Sequence, residues 1–165
     1  MMLVLLVEDN ASEEMLAMLA IRKADVSADV VVARDGQEAL DYLFGGGEHA
    51  DRPTSRLPTV ALLDLNLPKI GGLDVLRRIR ADERTRRLPV VVLTTSKEDE
   101  DLARAYDLGA NAFVCKPIAF EEFARAVNTL LAFWLVLNEV APPAEALEEA
   151  GSSNRLRAQW TSNGR

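Results

Sequence analysis

The sequence is poor in the residues that staple or metallate small proteins. It has one cysteine, Cys115, and one histidine, His49, among 165 residues. A single thiol excludes an intramolecular disulfide framework and a cysteine-based zinc site, and it fits a reducing cytoplasm. Long hydrophobic runs are also missing: no apolar stretch approaches the roughly 20 residues of a membrane span. The opening MMLVLLVED has no basic segment and meets Glu8 and Asp9 early, so it does not read as a signal peptide. Excess positive charge is absent too. The net charge is -7, and no basic stripe with interleaved aromatics is present, which argues against direct nucleic-acid binding. The local clusters Arg77, Arg78, Arg80 and Arg84, Arg86, Arg87 read as a solvated helix face and loop. His49, in a glycine-rich loop, reads as solvated.

What remains is an ordinary globular composition, 48% apolar and 27% charged, with a regular alternation of patterns. Continuous apolar runs at Leu3 to Val7, Val30 to Ala33, Thr59 to Asp64, Val90 to Thr94 and Ala112 to Cys115 read as strands. Helical periodicity follows each one: Ala11 to Ala24 with Ser12 as a plausible cap, QEALDYLF after Asp35-Gly36, Leu73 to Ala81, SKEDEDLARAYDLGA with Ser96 near its cap, and a stretch from Ala119 onward. Residues 45–58 form a long polar loop. Five strand–helix units predict an α/β fold: a doubly wound, five-stranded parallel sheet flanked by five helices. In such sheets, sites lie beyond the carboxyl ends of the strands.

The strand ends hold the chemistry. The run VALLDLNLPK ends a strand buried on both faces with a carboxylate, Asp64, and a charge there is costly unless it is paired or metal-bound. The first strand ends in Glu8-Asp9, the fourth in Thr94-Thr95-Ser96, and the fifth in Lys116-Pro117. Carboxylates brought together on one rim repel unless a cation sits among them. Oxygen donors suit a hard divalent ion, Mg2+ above all. Lys116 and the Thr94 hydroxyl suit a phosphoryl group, and Asp64 has the chemistry of a carboxylate nucleophile. Cys115, on a short strand, reads as a buried, inert thiol.

Four ordered segments, LLVEDN, LLDLNLPKIGGLDVL, PVVVLTTS and GANAFVCKP, resemble the receiver domain of two-component response regulators, over about residues 3–130. The resemblance implies the flavodoxin-like strand order 2-1-3-4-5, with a receiver unit over 1–130. It implies that Asp64 accepts a phosphoryl group from a sensor histidine kinase. Mg2+ would be held by Asp9, Asp64, the Asn66 carbonyl, and Glu8 directly or through water. Thr94 and Lys116 would bind the phosphoryl oxygens, Phe113 would be the aromatic switch coupled to Thr94, and the Lys116–Pro117 bond would be cis. Two departures stand out. Gly71 occupies a position where the family usually has an acid, which implies a looser loop. Thr95 stands where Ala or Gly is common, and is expected to crowd the water that hydrolyses the acyl phosphate.

Residues 131–165 are expected to extend the last helix and end in a tail with no separate output domain. Pro142-Pro143 should break the helix, and Gly151 to Asn154 reads as flexible. The apolar run FWLVLNEV, with Phe133 and Trp134, needs more than one partner surface if helical, and predicts a homodimer. With the long loop and VVLTTS, it resembles the regulators paired with bacterial phytochromes. The runner-up activity is a Mg2+-dependent phosphohydrolase with an aspartyl nucleophile, but a haloacid-dehalogenase pattern would place an acid two residues after Asp64, where Asn66 stands. A flavodoxin-like cofactor carrier would need a hydroxyl- and glycine-rich phosphate loop after the first strand, where Glu8-Asp9 stands.

Overall fold

A computed structural model describes residues 2–142; Pro143 and the tail expected at Gly151 to Asn154 lie outside the described residues. Strands β1 (Leu3–Val7), β2 (Asp29–Ala33), β3 (Val60–Leu63), β4 (Val90–Thr94) and β5 (Ala112–Cys115) alternate with helices α1 (Ala11–Arg22), α2 (Gly36–Phe44), α3 (Gly72–Ala81), α4 (Asp99–Asp107) and α5 (Phe120–Leu131). All strand pairs are parallel, and the sheet order is β2-β1-β3-β4-β5. The expected doubly wound fold is therefore the observed one.

The two faces of the sheet explain the continuous apolar runs. Leu5, Val7, Ala61 and Leu63 pack with residues of α2 and α3. Val4, Leu6, Val60, Leu62, Val91 and Leu93 pack with α1 and α5. β3 has neighbours on both edges and helices on both faces, so every one of its residues is buried. Each Val or Leu held there contributes about 1.5–3 kcal/mol by leaving water. No helix among the described residues is long and apolar enough to cross a membrane.

Several local expectations are corrected. Asn10, not Ser12, caps α1: its side-chain oxygen accepts from the Ser12 and Glu13 N–H groups. α4 starts at Asp99, later than the run SKEDEDLARAYDLGA suggests; Ser96 stands two residues before its cap, Glu98, and its hydroxyl donates to Asp101 at 2.7 Å. Arg80 is not on a solvated face. It is half-buried and donates to the Gly109 and Leu88 carbonyls and to Asn111, tying α3 to the strands beyond it. His49 is half-buried, edge-on to Tyr42 with ring centroids 5.1 Å apart. Past Leu131 the chain winds more loosely, as a π-helical segment over Ala132–Leu137.

Candidate phosphoryl-transfer site

The register of the sheet assembles the rim. Val7 pairs with Leu63, so the residues that follow them, Glu8 and Asp64, emerge side by side. β4 runs alongside and delivers Thr94 opposite Cys115. Lys116 therefore starts one strand further out and uses its four-carbon stem to reach across the end of β4. Its backbone N–H is held by the Thr94 carbonyl at 2.8 Å.

The Asp64 carboxylate is buried and its plane is fixed from three directions. Oδ1 accepts from the Thr94 hydroxyl at 2.9 Å and from the Asn66 N–H at 3.1 Å, and Oδ2 accepts from the Lys116 ammonium at 2.9 Å. Thr94 has no exposed surface. The Lys116 ammonium also pairs with Glu8 and with Glu13. One carboxylate oxygen from each of Glu8, Glu13 and Asp64 lies within 4.8 Å of the others.

This crowding shows in the proton affinities. Burial pushes the Glu8 carboxyl up to about 7, against the opposing pull of Lys116. Burial pulls the Lys116 ammonium down, but its pairs with Glu13, Glu8 and Asp64 outweigh that and hold it above the ordinary lysine range. The donor set is all oxygen, clustered and partly buried, which fits a hard divalent cation.

The loop after Asp64 is clamped. The Gly72 N–H donates to the Leu65 carbonyl at 2.9 Å, and a Cβ at Gly72 would lie 2.2 Å from the Asp64 carbonyl oxygen. Lys69, in the left-handed region at φ 63°, pairs with Asp35 at the start of α2 at 2.5 Å. Gly36 lets that loop approach, since a Cβ there would meet the Ile70 carbonyl oxygen at 1.9 Å. Gly71 caps α3 without a side-chain bond and has open space around it.

Glu8, Asp64, Thr94 and Lys116 are thus brought together as expected. Asp9 follows Glu8 directly and Asn66 stands two residues after Asp64, both exposed. Phe113 is partly buried against Leu65, Val92 and Ala105, on the sheet face under α4. Cys115 is exposed rather than buried, because β5 is an edge strand; its thiol donates to the Ser96 carbonyl at 3.4 Å. The Lys116–Pro117 peptide is trans, not cis. Glu13 was not anticipated. It stands three residues after the cap Asn10, on the turn of α1 that faces the rim, and helix phasing from that cap is the signal that places it there.

A doubly wound parallel sheet with acids, a buried threonine and a lysine at its carboxyl rim defines the class of aspartyl phosphoacceptors. The chain belongs to that class's response regulator receiver domain family, whose model matches residues 4–128. A probable methanogenesis regulatory protein, FilR2 of Methanothrix harundinacea, is 43% identical, with 86% of this chain and 89% of that protein covered. Among solved structures, the phosphorylated cyanobacterial phytochrome response regulator RcpA is 37% identical with a TM-score of 0.78, covering 84% of this chain and 97% of that one. The bacteriophytochrome response regulator AtBRR is 48% identical, TM-score 0.68, covering 84% and 99%. The Mn2+-bound form of Rcp1 is 32% identical, TM-score 0.78, covering 86% and 99%; the curated Rcp1 sequence is from Synechocystis. The chain is a receiver homologous to phytochrome response regulators, with a phosphoacceptor role in two-component signalling. The phosphohydrolase reading is not favoured.

Proposed function

We propose that Asp64 accepts a phosphoryl group from the phosphohistidine of a sensor histidine kinase, a phytochrome being the partner that the relatives favour. A carboxylate oxygen of Asp64 forms the new P–O bond as the donor's P–N bond breaks, and the imidazole leaves and takes up a proton. The observation that carries this reading is the buried Asp64 carboxylate held by Thr94, the Asn66 N–H and Lys116. Asp9, Asp64, the Asn66 carbonyl and Glu8, directly or through water, would hold Mg2+, which when bound supplies charge neutralisation for the phosphoryl oxygens. Lys116 and the Thr94 hydroxyl bind those oxygens once the group is in place. Phe113 and Thr94 form the switch that relays the change to the surface under α4.

The output is protein contact in the cytoplasm, and the copy is a homodimer through the last helix. Phe133, Val136 and Leu137 are exposed, and Phe133 packs edge-on to Trp134 at 4.9 Å. Trp134 itself is half-buried against the α5 side of the core, so Phe133 offers the cleaner test. Sedimentation should show a dimer that Phe133→Arg dissociates; a wild-type monomer overturns the dimer.

The phosphoacceptor assignment is tested with a small acyl-phosphate donor and Mg2+. A base-labile, acid-stable adduct should form on the wild type and be absent from Asp64→Asn. An adduct that persists in folded Asp64→Asn, or none on the wild type, refutes the assignment.

A further inference from the structure

Glu13 is the one carboxylate at the rim to which the family resemblance gave no part. The residue three after a helix cap often folds back to bond the cap's own N–H. Glu13 does not, because that N–H, on Asn10, donates to Glu8 at 3.1 Å. Glu13 instead reaches over the rim to Lys116.

An ammonium has three N–H donors. In Lys116 they serve Glu8, Glu13 and Asp64, one each. A phosphoryl group on Asp64 needs one of those protons for a new oxygen. Of the two other acids, Glu8 is the harder one to release: its side chain is 3% exposed, so a proton or a cation, not bulk water, has to take the place of the ammonium. The Glu13 side chain is 33% exposed, at the edge of a cleft of about 220 Å³ lined also by Leu16, Thr95 and Ile118. Glu13 is the partner that water can accept. Until it lets go, its charge also stands within 4.8 Å of the Asp64 oxygen, where an incoming phosphoryl dianion is repelled. The two effects have the same sign.

We propose that Glu13 is a clasp on Lys116: a positioning residue that holds the ammonium in the unphosphorylated protein and raises the barrier to phosphorylation of Asp64. The proposal rests on reading Asp64 as the acceptor. The clasp makes the protein resist non-cognate small phosphodonors, and a kinase surface that covers the cleft and draws Glu13 away would lift that resistance.

The test is calorimetric titration with beryllofluoride, a phosphoryl mimic, at saturating Mg2+, beside the rate of labelling by a small acyl phosphate. Glu13→Gln should bind the mimic about threefold to tenfold more tightly and label faster by a similar factor, the range expected for one partly screened charge at this distance. Glu14→Gln removes the same charge one residue along, where Glu14 pairs with Arg34 past the end of β2 and makes no bond to Lys116 or Asp64, and should leave both readouts unchanged. Equal gains in the two variants would mean a general charge effect and overturn the clasp. So would unchanged affinity in Glu13→Gln. Weaker mimic binding together with a weaker Mg2+ affinity would make Glu13 a metal ligand, again against the clasp. A wild type that binds no mimic refutes the Asp64 reading itself, which separates the two failures.

Discussion

Replacing Lys116 with Met keeps most of the apolar stem and removes the ammonium, its charge and its three donors. Three carboxylate oxygens then remain within 4.8 Å of one another with no cation among them. At an effective dielectric of about 20, each pair of unit charges at that separation repels by about 3 kcal/mol. The sum is an upper limit, because Glu8, already pushed up to about 7, takes up a proton when the ammonium is gone, and water enters beside the half-exposed Glu13. The net loss should be about 3–5 kcal/mol near pH 8, the usual range for breaking a buried ion pair from one side. That is a large part of the roughly 5–15 kcal/mol that holds a domain folded. The loss should shrink toward pH 5.5, where protonation of Glu8 removes one of the three charges, and Mg2+ should restore much of it by binding the folded state alone. Urea denaturation at both pH values, with and without Mg2+, reads all of this. A loss below about 1 kcal/mol, or one indifferent to both pH and Mg2+, would refute the view that Lys116 offsets three charges at the rim.

Two further perturbations probe the support of the site. Gly72→Ala places a Cβ 2.2 Å from the Asp64 carbonyl oxygen and 2.6 Å from the Leu65 Cα, so the backbone must move; urea midpoints should drop by a stability equivalent of about 1–3 kcal/mol, with slower labelling of Asp64, and a variant as stable and as fast as wild type contradicts the close approach. Glu8 titrates at about 7 when folded against 4.5 when free, so the folded state binds the proton more tightly. Below 4.5 both states are protonated and Glu8 contributes nothing; as pH rises from 4.5 to 7 the unfolded state sheds its proton first and stability falls, by about 3 kcal/mol in all, then levels off. Glu8→Gln should abolish that slope in metal-free urea titrations, and a wild-type-to-variant difference that is constant over the range rules out a burial-raised Glu8.

Much of the fold was legible because each strand here is built on a short unbroken apolar run. β4 and β5 begin and end where the pattern places them, since Pro89 and Gly109-Ala110-Asn111 bound the runs. Helix starts were less legible. Ser12 and Asn10 are both competent caps, and only the backbone decides: Asn10 is extended at φ -83° and ψ 115°, with its side chain over the free N–H groups. At the rim, Glu8, Asp64, Thr94 and Lys116 follow from topology alone, because a parallel sheet brings every strand's carboxyl end to one edge. The exposure of Cys115 is missed because AFVC by itself reads as a core strand, although the order 2-1-3-4-5 already makes β5 an edge, and the edge leaves that residue in solvent.

The two adjacent glycines after the acceptor loop show where a sequence reading runs out. Gly71 drew notice as the missing acid, yet it sits at φ -66° and ψ 155° with open space around its Cα, so the backbone permits any residue there. An Asp at 71 would have served as a cap for α3, and its absence leaves the N-terminus of that helix without a side-chain acceptor. The loop is not loose for that reason. Its anchors lie elsewhere: the Gly72 N–H on the Leu65 carbonyl, the Asn66 N–H on Asp64, and Lys69 on Asp35 across to α2. Gly72 is the constrained one, because α3 begins against the carbonyl of Asp64 and only hydrogen fits between them. Identical letters at 71 and 72 carry opposite constraints. What separates them is distance from the acceptor's own backbone, a quantity that exists only once β3 and α3 are packed.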